Sequence, residues 1–164
     1  VQGATDRMYT PTESGKYNVM VTYVGGCKNI SEQENWLIVP NVTVTVPSTS
    51  ATVGTKTVIK LEATSADEQV STPHTFTATI SFDKTMLMPT GATKQGTIVG
   101  NKRYITVTGT SGFNGTLDAM EFVVLAGATD KTDITIESVT FGDTATITKV
   151  NGEFIATPVC PTCS

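Results

Sequence analysis

Apolar and polar residues alternate along most of the chain, and the clearest alternation lies at its centre, from His74 to Leu87. One face of this segment carries Phe76, Ala78, Ile80 and Phe82, and the other carries Thr75, Thr77, Thr79 and Ser81. A period of two is typical of a strand with one side in a core and the other in water. We therefore expect a central strand here, with Asp83 opening the turn that follows it.

The same alternation recurs in short runs over residues 41–157, and turn residues separate these runs. The dipeptides Gly100-Asn101 and Asn151-Gly152 each predict a two-residue hairpin turn. Because no window has helical periodicity, we predict an all-β protein, an antiparallel β-sandwich or jelly roll of about nine strands. Ile134, Ile136 and Ser138 are predicted to share one face of a late strand. Across the core we expect Phe76, Ile80 and Phe82 to face Ile59, Leu61, Phe122 and Val124.

The first forty residues differ from the regular runs that follow. Tyr17, Val19, Val21 and Tyr23 alternate with Asn18, Met20 and Thr22, which predicts a single strand with one half-buried face. The run from Tyr9 to Cys27, Y-T-P-T-E-S-G-K-Y-N-V-M-V-T followed by Gly and Cys, resembles the last strands of immunoglobulin-like repeats in large bacterial surface proteins. In those repeats the cysteine usually bonds one on an earlier strand, and this sequence has no cysteine before Cys27.

Even two paired strands are not stable alone in water, so this N-terminal strand needs a further sheet to receive it. Trp36 to Val39 supplies a second apolar run, which Pro40 ends. We predict that the strand with Tyr17, Val19, Val21 and Tyr23 contacts a neighbouring subunit. Cys27 would then bond Cys160 or Cys163 of the next chain. The alternative is a segment that folds back on its own domain, with Cys27 bonded internally.

Residues 42–157 contain, in this order, Val53-Gly54, Phe76-x-x-x-Ile80-x-Phe82-Asp83-x-x-x-Leu87, Leu117-x-x-Met120-x-Phe122, Ile136-x-x-Val139-x-Phe141-Gly-Asp and Asn151-Gly-Glu-Phe154. In these features the segment resembles a cohesin-type domain, a jelly-roll relative of cellulose-binding modules. The resemblance implies a nine-stranded jelly roll with a role in adhesion or assembly, and a dockerin or a polysaccharide as ligand. We therefore expect an N-terminal strand segment (residues 1–40), a cohesin-like sandwich (41–157) and a Pro/Cys tail (158–164).

Charge and composition exclude several classes of partner. The net charge is −4 with no run of basic residues, which argues against nucleic acid and anionic membranes as partners. No apolar run has the length needed to span a bilayer. Few lysines and many Thr, Ser, Asn and Gly residues are typical of secreted surface proteins, so we expect an extracellular or cell-surface location. The first residue, Val1, suggests a processed chain.

The residue types needed for catalysis are scarce. His74 is the only histidine; it follows Pro73 at a strand entrance, where we expect it to be exposed. The sequence has no nucleophile elbow and no phosphate-binding loop, so we predict a protein that is not an enzyme and binds no organic cofactor. Cys160 and Cys163 have redox spacing, but they lie in a proline-broken tail that favours a structural disulfide.

Metal and carbohydrate sites are also weakly indicated. Five aspartates predicted at strand ends offer oxygen ligands for calcium, although turn capping explains each one more simply. These residues are Asp83, Asp118, Asp130, Asp133 and Asp143. A carbohydrate face would need a row of exposed aromatic residues, and the alternation around Tyr17 and Tyr23 favours burial.

Two functions are consistent with these patterns. The first is a structural module of an extracellular assembly, either an adhesin domain or a filament subunit, joined by strand donation and disulfides. The alternative is a cohesin-type module that binds a dockerin or a polysaccharide through one sheet face. Polymers of the purified chain would favour the first function, and a monomer with ligand affinity would favour the second.

Overall fold

Two β-sheets pack face to face around one hydrophobic core, which confirms the predicted all-β sandwich. The computed structural model of the chain describes residues 13–30, 35–37, 39–66 and 73–159, with residues 35–37 described by their backbone. The regular structure of this part is β-strand apart from a short 3-10 turn at Ala92–Lys94. None of the described residues forms a helix long and apolar enough to cross a membrane.

Four short strands precede the sandwich, and longer strands build it. In chain order they are β1 (Gly15–Tyr17), β2 (Met20–Thr22), β3 (Lys28–Ile30), β4 (Asn35–Leu37), β5 (Asn41–Thr45), β6 (Thr49–Thr52), β7 (Lys56–Ser65), β8 (His74–Asp83), β9 (Leu87–Pro89), β10 (Thr97–Val99), β11 (Lys102–Ser111), β12 (Gly115–Val124), β13 (Lys131–Phe141), β14 (Thr146–Val150) and β15 (Gly152–Thr157).

The sandwich consists of a six-stranded sheet and a five-stranded sheet. The six-stranded sheet has the order β10-β11-β8-β13-β15-β6, and the five-stranded sheet has the order β14-β5-β7-β12-β9. The pairs β14–β5 and β15–β6 are parallel, and the other pairs within the two sheets are antiparallel. Two separate two-stranded sheets, β1–β4 and β2–β3, form the N-terminal segment.

The predicted core residues are buried between the two sheets. Phe76, Ala78, Ile80 and Phe82 of β8 are at most 4% exposed. Ile59, Leu61, Phe122 and Val124 of the five-stranded sheet are also buried, as expected. The rings of Phe82 and Phe122 meet edge to face with 5.3 Å between their centroids, a preferred arrangement of aromatic pairs. This contact joins the two sheets.

One predicted hairpin is correct and the other is wrong. Gly100 and Asn101 connect β10 to β11 with Gly100 at φ +61°, as a turn with glycine first requires. Asn151 and Gly152 instead carry the chain from β14 in one sheet to β15 in the other. A Cβ atom on Gly152 would lie 2.4 Å from the carbonyl oxygen of Val46, so this glycine permits a close approach of two backbones.

The predicted face of β13 changes at a bulge. Ile134 and Ile136 are buried, but Ser138 is exposed, because the register shifts between Ile136 and Ser138. Val139 and Phe141 pack against the core in its place. A bulge adds one residue to one strand and so reverses the faces beyond it, which alternation in the sequence does not reveal.

His74 is buried, contrary to the expectation of an exposed histidine. It begins β8 and is 7% exposed. Its ring is stacked on Phe113 with 4.3 Å between centroids and an interplanar angle of 12°. Its Nδ1 contacts the carboxylate of Asp143. Phe113 meets Phe141 edge to face, so His74 packs at the end of an aromatic cluster.

We expect Phe82→Ala to lower the free energy of unfolding by about 3–5 kcal/mol, because the lost ring leaves a cavity between two rigid sheets. Chemical denaturation measures the change. Val58→Ala is the control; Val58 is 49% exposed, and its loss is expected to change stability by less than about 0.5 kcal/mol. A loss under about 1 kcal/mol for Phe82→Ala would contradict the central position of β8.

We expect His74→Ala to lower the free energy of unfolding by about 1–3 kcal/mol, because it removes a buried ring and the side chain that contacts Asp143. Asp143→Ala is expected to cost less than about 1 kcal/mol, because Asp143 is 70% exposed and its charge is screened by water. Equal losses for the two variants would show that the contact with Asp143, and not the stacking on Phe113, holds the histidine.

Asp83 opens the turn after β8, as predicted, and accepts hydrogen bonds from the Thr85 hydroxyl at 2.7 Å and from the Thr85 amide at 2.8 Å. Both hydrogen bonds lower the pKa of Asp83, and the bond from the hydroxyl has the larger effect.

A lowered pKa stabilises the fold above the ordinary aspartate pKa, and this stabilisation is lost as pH falls through the lowered value. We expect wild-type stability to fall more steeply than that of Asp83→Asn below about pH 4, in urea titrations at several pH values. Parallel curves would contradict this role.

Candidate interaction surfaces

The five aspartates considered for calcium do not gather at one place, although Asp83 and Asp133 line the same depression. Asp118 lies within β12 and accepts from Lys94 Nζ at 2.6 Å, and Asp133 lies within β13, so neither is at a strand end as predicted. Asp83 is bonded to Thr85 and Asp143 to His74. Within the described ranges no group of three or more His, Cys, Asp or Glu side chains is arranged to hold a metal ion.

One depression of about 260 Å³ lies beside the end of β8, where β11 and β13 flank it. Pockets for organic ligands usually have roughly 300–1,000 Å³ and mostly apolar walls. This depression is smaller, and only polar and charged residues line it, so it does not resemble such a pocket. Its lining residues are Asp83, Asn101, Lys102, Thr132, Asp133 and Thr135.

The N-terminal strand predicted over residues 17–23 is divided in two. Tyr17 ends β1, which pairs with β4, whereas β2 begins at Met20 and pairs with β3. Tyr17 is half-buried, and its hydroxyl donates to the Glu13 carbonyl at 2.5 Å. Val19, Val21 and Tyr23 are 65%, 47% and 57% exposed. No sheet of the described residues covers these side chains on β2, so their burial against a neighbouring subunit stays a prediction.

Strands β2 and β3 form what we call the apolar hairpin, residues 20–30. Neighbouring residues of a strand point to opposite faces, and Met20 and Val21 are 55% and 47% exposed, so both faces are uncovered. Cys27 lies in its turn, exposed and without a disulfide. Cys160 and Cys163 lie outside the described residues, so the predicted bond to Cys27 stays a prediction.

The outer face of the six-stranded sheet carries an array of hydroxyl side chains. Residues paired on neighbouring strands point to the same face, so the register assigns the rows of this array. Thr140, Thr77 and Thr108 form one row across β13, β8 and β11; Ser138, Thr79 and Thr106 form the next, and Thr75 and Thr110 form a third. We call these eight residues the hydroxyl face.

The hydroxyl face is uncharged and locally ordered. All of its residues are exposed except Thr79, which is half-buried. The hydroxyl oxygens of Thr79 and Thr106 lie 2.9 Å apart and share a hydrogen bond. Beyond this end of the face, Ser81 donates to the Glu137 carboxylate at 2.5 Å. At this end, next to the row of Thr79, charged groups begin beyond the array.

The outer face of the five-stranded sheet has a different chemistry. On β7 and β12 it carries Lys56, Lys60, Glu62 and Glu121, and Lys56 Nζ lies 3.0 Å from Glu121 Oε1. Both outer faces belong to the same threonine-rich chain. Composition alone therefore does not explain why one of them lacks charge.

Comparison with known proteins bears on the fold. No protein-family profile matches the chain, and no curated protein sequence matches it significantly. Solved structures do match. The seventh ScaB type I cohesin of Pseudobacteroides cellulosolvens is 16% identical with a TM-score of 0.58, over 76% of this chain and 97% of that chain.

Two further matches are cohesins solved with a partner. The sixth cohesin of scaffoldin B from Acetivibrio cellulolyticus, in complex with a mutant Cel5 dockerin, is 15% identical with a TM-score of 0.54, over 71% of this chain and 99% of that one. The OlpA cohesin of Clostridium thermocellum, in complex with Doc918, is 10% identical with a TM-score of 0.50, over 71% and 99%.

These matches confirm the resemblance that the strand and turn motifs suggested for the sandwich. The likeness of residues 9–27 to immunoglobulin-like repeats stays a prediction. At identities this low, structural similarity establishes architecture and not activity. The β-sandwich of this chain has a cohesin-like jelly-roll fold.

Proposed function

We propose that this protein is a non-enzymatic, cohesin-type module that binds a protein partner within an extracellular assembly. Two of the cohesins with the same architecture were solved in complex with dockerin partners, which supports a protein ligand of this class. A catalytic mechanism that uses a histidine would need His74, the only one in the sequence. The burial of His74 against Phe113 instead supports a packing role for it. The extracellular location is supported by composition.

The hydroxyl face is the observation that carries this proposal. Burying it against a partner removes no charged group from water, so it avoids the large desolvation cost of buried ions. Threonine is stiff at χ1, and little side-chain freedom is lost on binding. Three strands and three rows cover roughly 10 by 15 Å, so the face would form the centre of an interface with charged residues around it.

A protein partner fits this face better than a polysaccharide does. Flat sugar chains stack on aromatic rings, which present a large apolar surface. The residues that we define as the hydroxyl face include no aromatic ring. Methyl and hydroxyl groups together instead match the mixed apolar and polar surface of a peptide or a helix.

Lysine substitutions on the two outer faces test this proposal. We expect Thr77→Lys and Thr108→Lys each to weaken binding to a cognate dockerin at least about tenfold, because each buries an unpaired charge. Thr64→Lys is the matched control: Thr64 is an exposed threonine on β7 of the five-stranded sheet, and it is expected to bind as wild type does.

Isothermal titration calorimetry against a panel of purified dockerin domains measures these affinities. The panel includes the partners of the two cohesins above, and a cellulose pull-down runs beside it. Failure of every dockerin to bind, or equal binding by Thr77→Lys and Thr64→Lys after wild type has bound, would overturn the proposal. Binding to cellulose alone would favour a polysaccharide-binding module.

A second candidate function is a structural subunit of a filament or adhesin that is joined to its neighbours by a strand. The uncovered faces of the apolar hairpin favour it, because exposed apolar strands mark interaction sites. The two functions use different surfaces and are compatible with each other.

A further inference from the structure

The four edge strands of the sandwich differ in how they are protected against pairing. Strand β9 ends in Pro89, and β14 carries Lys149, two devices that discourage the addition of another strand. Strand β6, Thr-Ser-Ala-Thr, offers no large apolar side chain. Strand β10, Thr97-Ile98-Val99, has neither proline nor charge, and Ile98 and Val99 are 49% and 65% exposed.

The backbone of β10 has groups that point away from β11, its partner in the sheet. Val99 and Lys102 flank the two-residue turn and therefore form a hydrogen-bonded pair. Because such pairs alternate with non-hydrogen-bonded ones, Ile98 opposite Arg103 directs its N–H and C=O to the open edge. A further strand would find one donor and one acceptor there.

Strand β2 has the same kind of open edge. Tyr23 N donates to Cys27 O at 2.8 Å, so Tyr23 and Cys27 form the hydrogen-bonded pair next to the turn. By the same alternation, Met20 and Thr22 direct their backbone groups away from β3. Within the part of the chain that the structure describes, β2 has no partner besides β3.

We propose that β2 of one copy adds to the edge of β10 of a second copy and so joins the chains head to tail. The order of the joined sheet is β3-β2-β10-β11. Within the described residues both edges are unpaired, which supports a pairing between copies. This inference specifies the strand joint of the second candidate function and does not depend on partner recognition by the hydroxyl face.

Side-chain chemistry supports the match between the two edges. Residues 19–24 of the donor and residues 97–99 of the acceptor contain no charge. Pairing them places apolar residues opposite one another on both faces of the joined sheet, and each such pair adds stability. Lys28 on β3 and Lys102 on β11 are three strand spacings apart, roughly 14 Å, where salt screens their repulsion.

The two patches lie on different parts of the chain, so the contact is heterologous. Such contacts do not close on themselves unless their rotation forms a ring, and they otherwise continue as an open filament. On an isolated module an open strand edge promotes unspecific pairing with other chains. In the proposed assembly the same edge forms the specific contact between copies.

Two proline variants test the joint because each removes one edge-facing N–H without touching the internal ladder. In the presence of reductant, so that disulfides do not contribute, we expect wild type to form concentration-dependent oligomers in sedimentation velocity. Ile98→Pro and Thr22→Pro are each expected to raise the dissociation constant at least about tenfold. An unchanged melting temperature confirms that each variant is folded.

Mixing distinguishes a head-to-tail joint from symmetric contact. Ile98→Pro retains an intact donor and Thr22→Pro retains an intact acceptor, so an equimolar mixture should give dimers that grow no further. A lysine pair provides the side-chain control: Val99→Lys should weaken assembly, while Met88→Lys, an exposed apolar residue on the proline-protected β9, should not.

Three results would overturn the proposal: a wild-type chain that stays monomeric at high concentration, proline variants that assemble as wild type does, or a mixture that forms no dimers. Thr77→Lys must assemble normally in the same assay. Loss of dockerin binding and loss of assembly are thereby separated.

Discussion

The architecture depends on the inward packing of β8 against the five-stranded sheet. Phe82 meets Phe122 edge to face across the core, and Ile80 is fully buried beside it. Since β8 pairs with β11 on one side and β13 on the other, its orientation fixes that of both neighbours. Side chains of a strand alternate between faces, so the packing that buries Phe76 and Phe82 also directs Thr77 and Thr79 outward. The core and the hydroxyl face are two results of one register.

Sequence reasoning succeeded where a single strand contains the whole signal, as β8 does. The prediction from sequence was wrong where a residue far away in the chain determines the local conformation or burial. Gly152 lies against the Val46 carbonyl, and His74 stacks on Phe113, a contact between residues far apart in the chain. The predicted face of Ser138 is wrong because the alternation of apolar and polar residues does not reveal the extra residue in β13.

The candidate surfaces were harder to predict than the fold. The alternation around Tyr17 and Val21 is the same for a half-buried strand and for an exposed hairpin, so the sequence does not separate these states. The threonines of β8, β11 and β13 are individually unremarkable in a threonine-rich chain. Only the pairing of Thr77 with Thr108 and Thr140 shows that they form a continuous uncharged surface.

The two parallel pairs of the sandwich have a mechanical consequence. Strand β5 enters the sandwich beside β14, and β6 runs beside β15, the last strand. Tension applied to the two ends of the domain pulls the strands of each parallel pair in opposite directions along their length. The ladder between residues 41–45 and 146–150 is then loaded in shear, and its hydrogen bonds share the force instead of opening one after another. A module held at both ends would resist extension through this geometry.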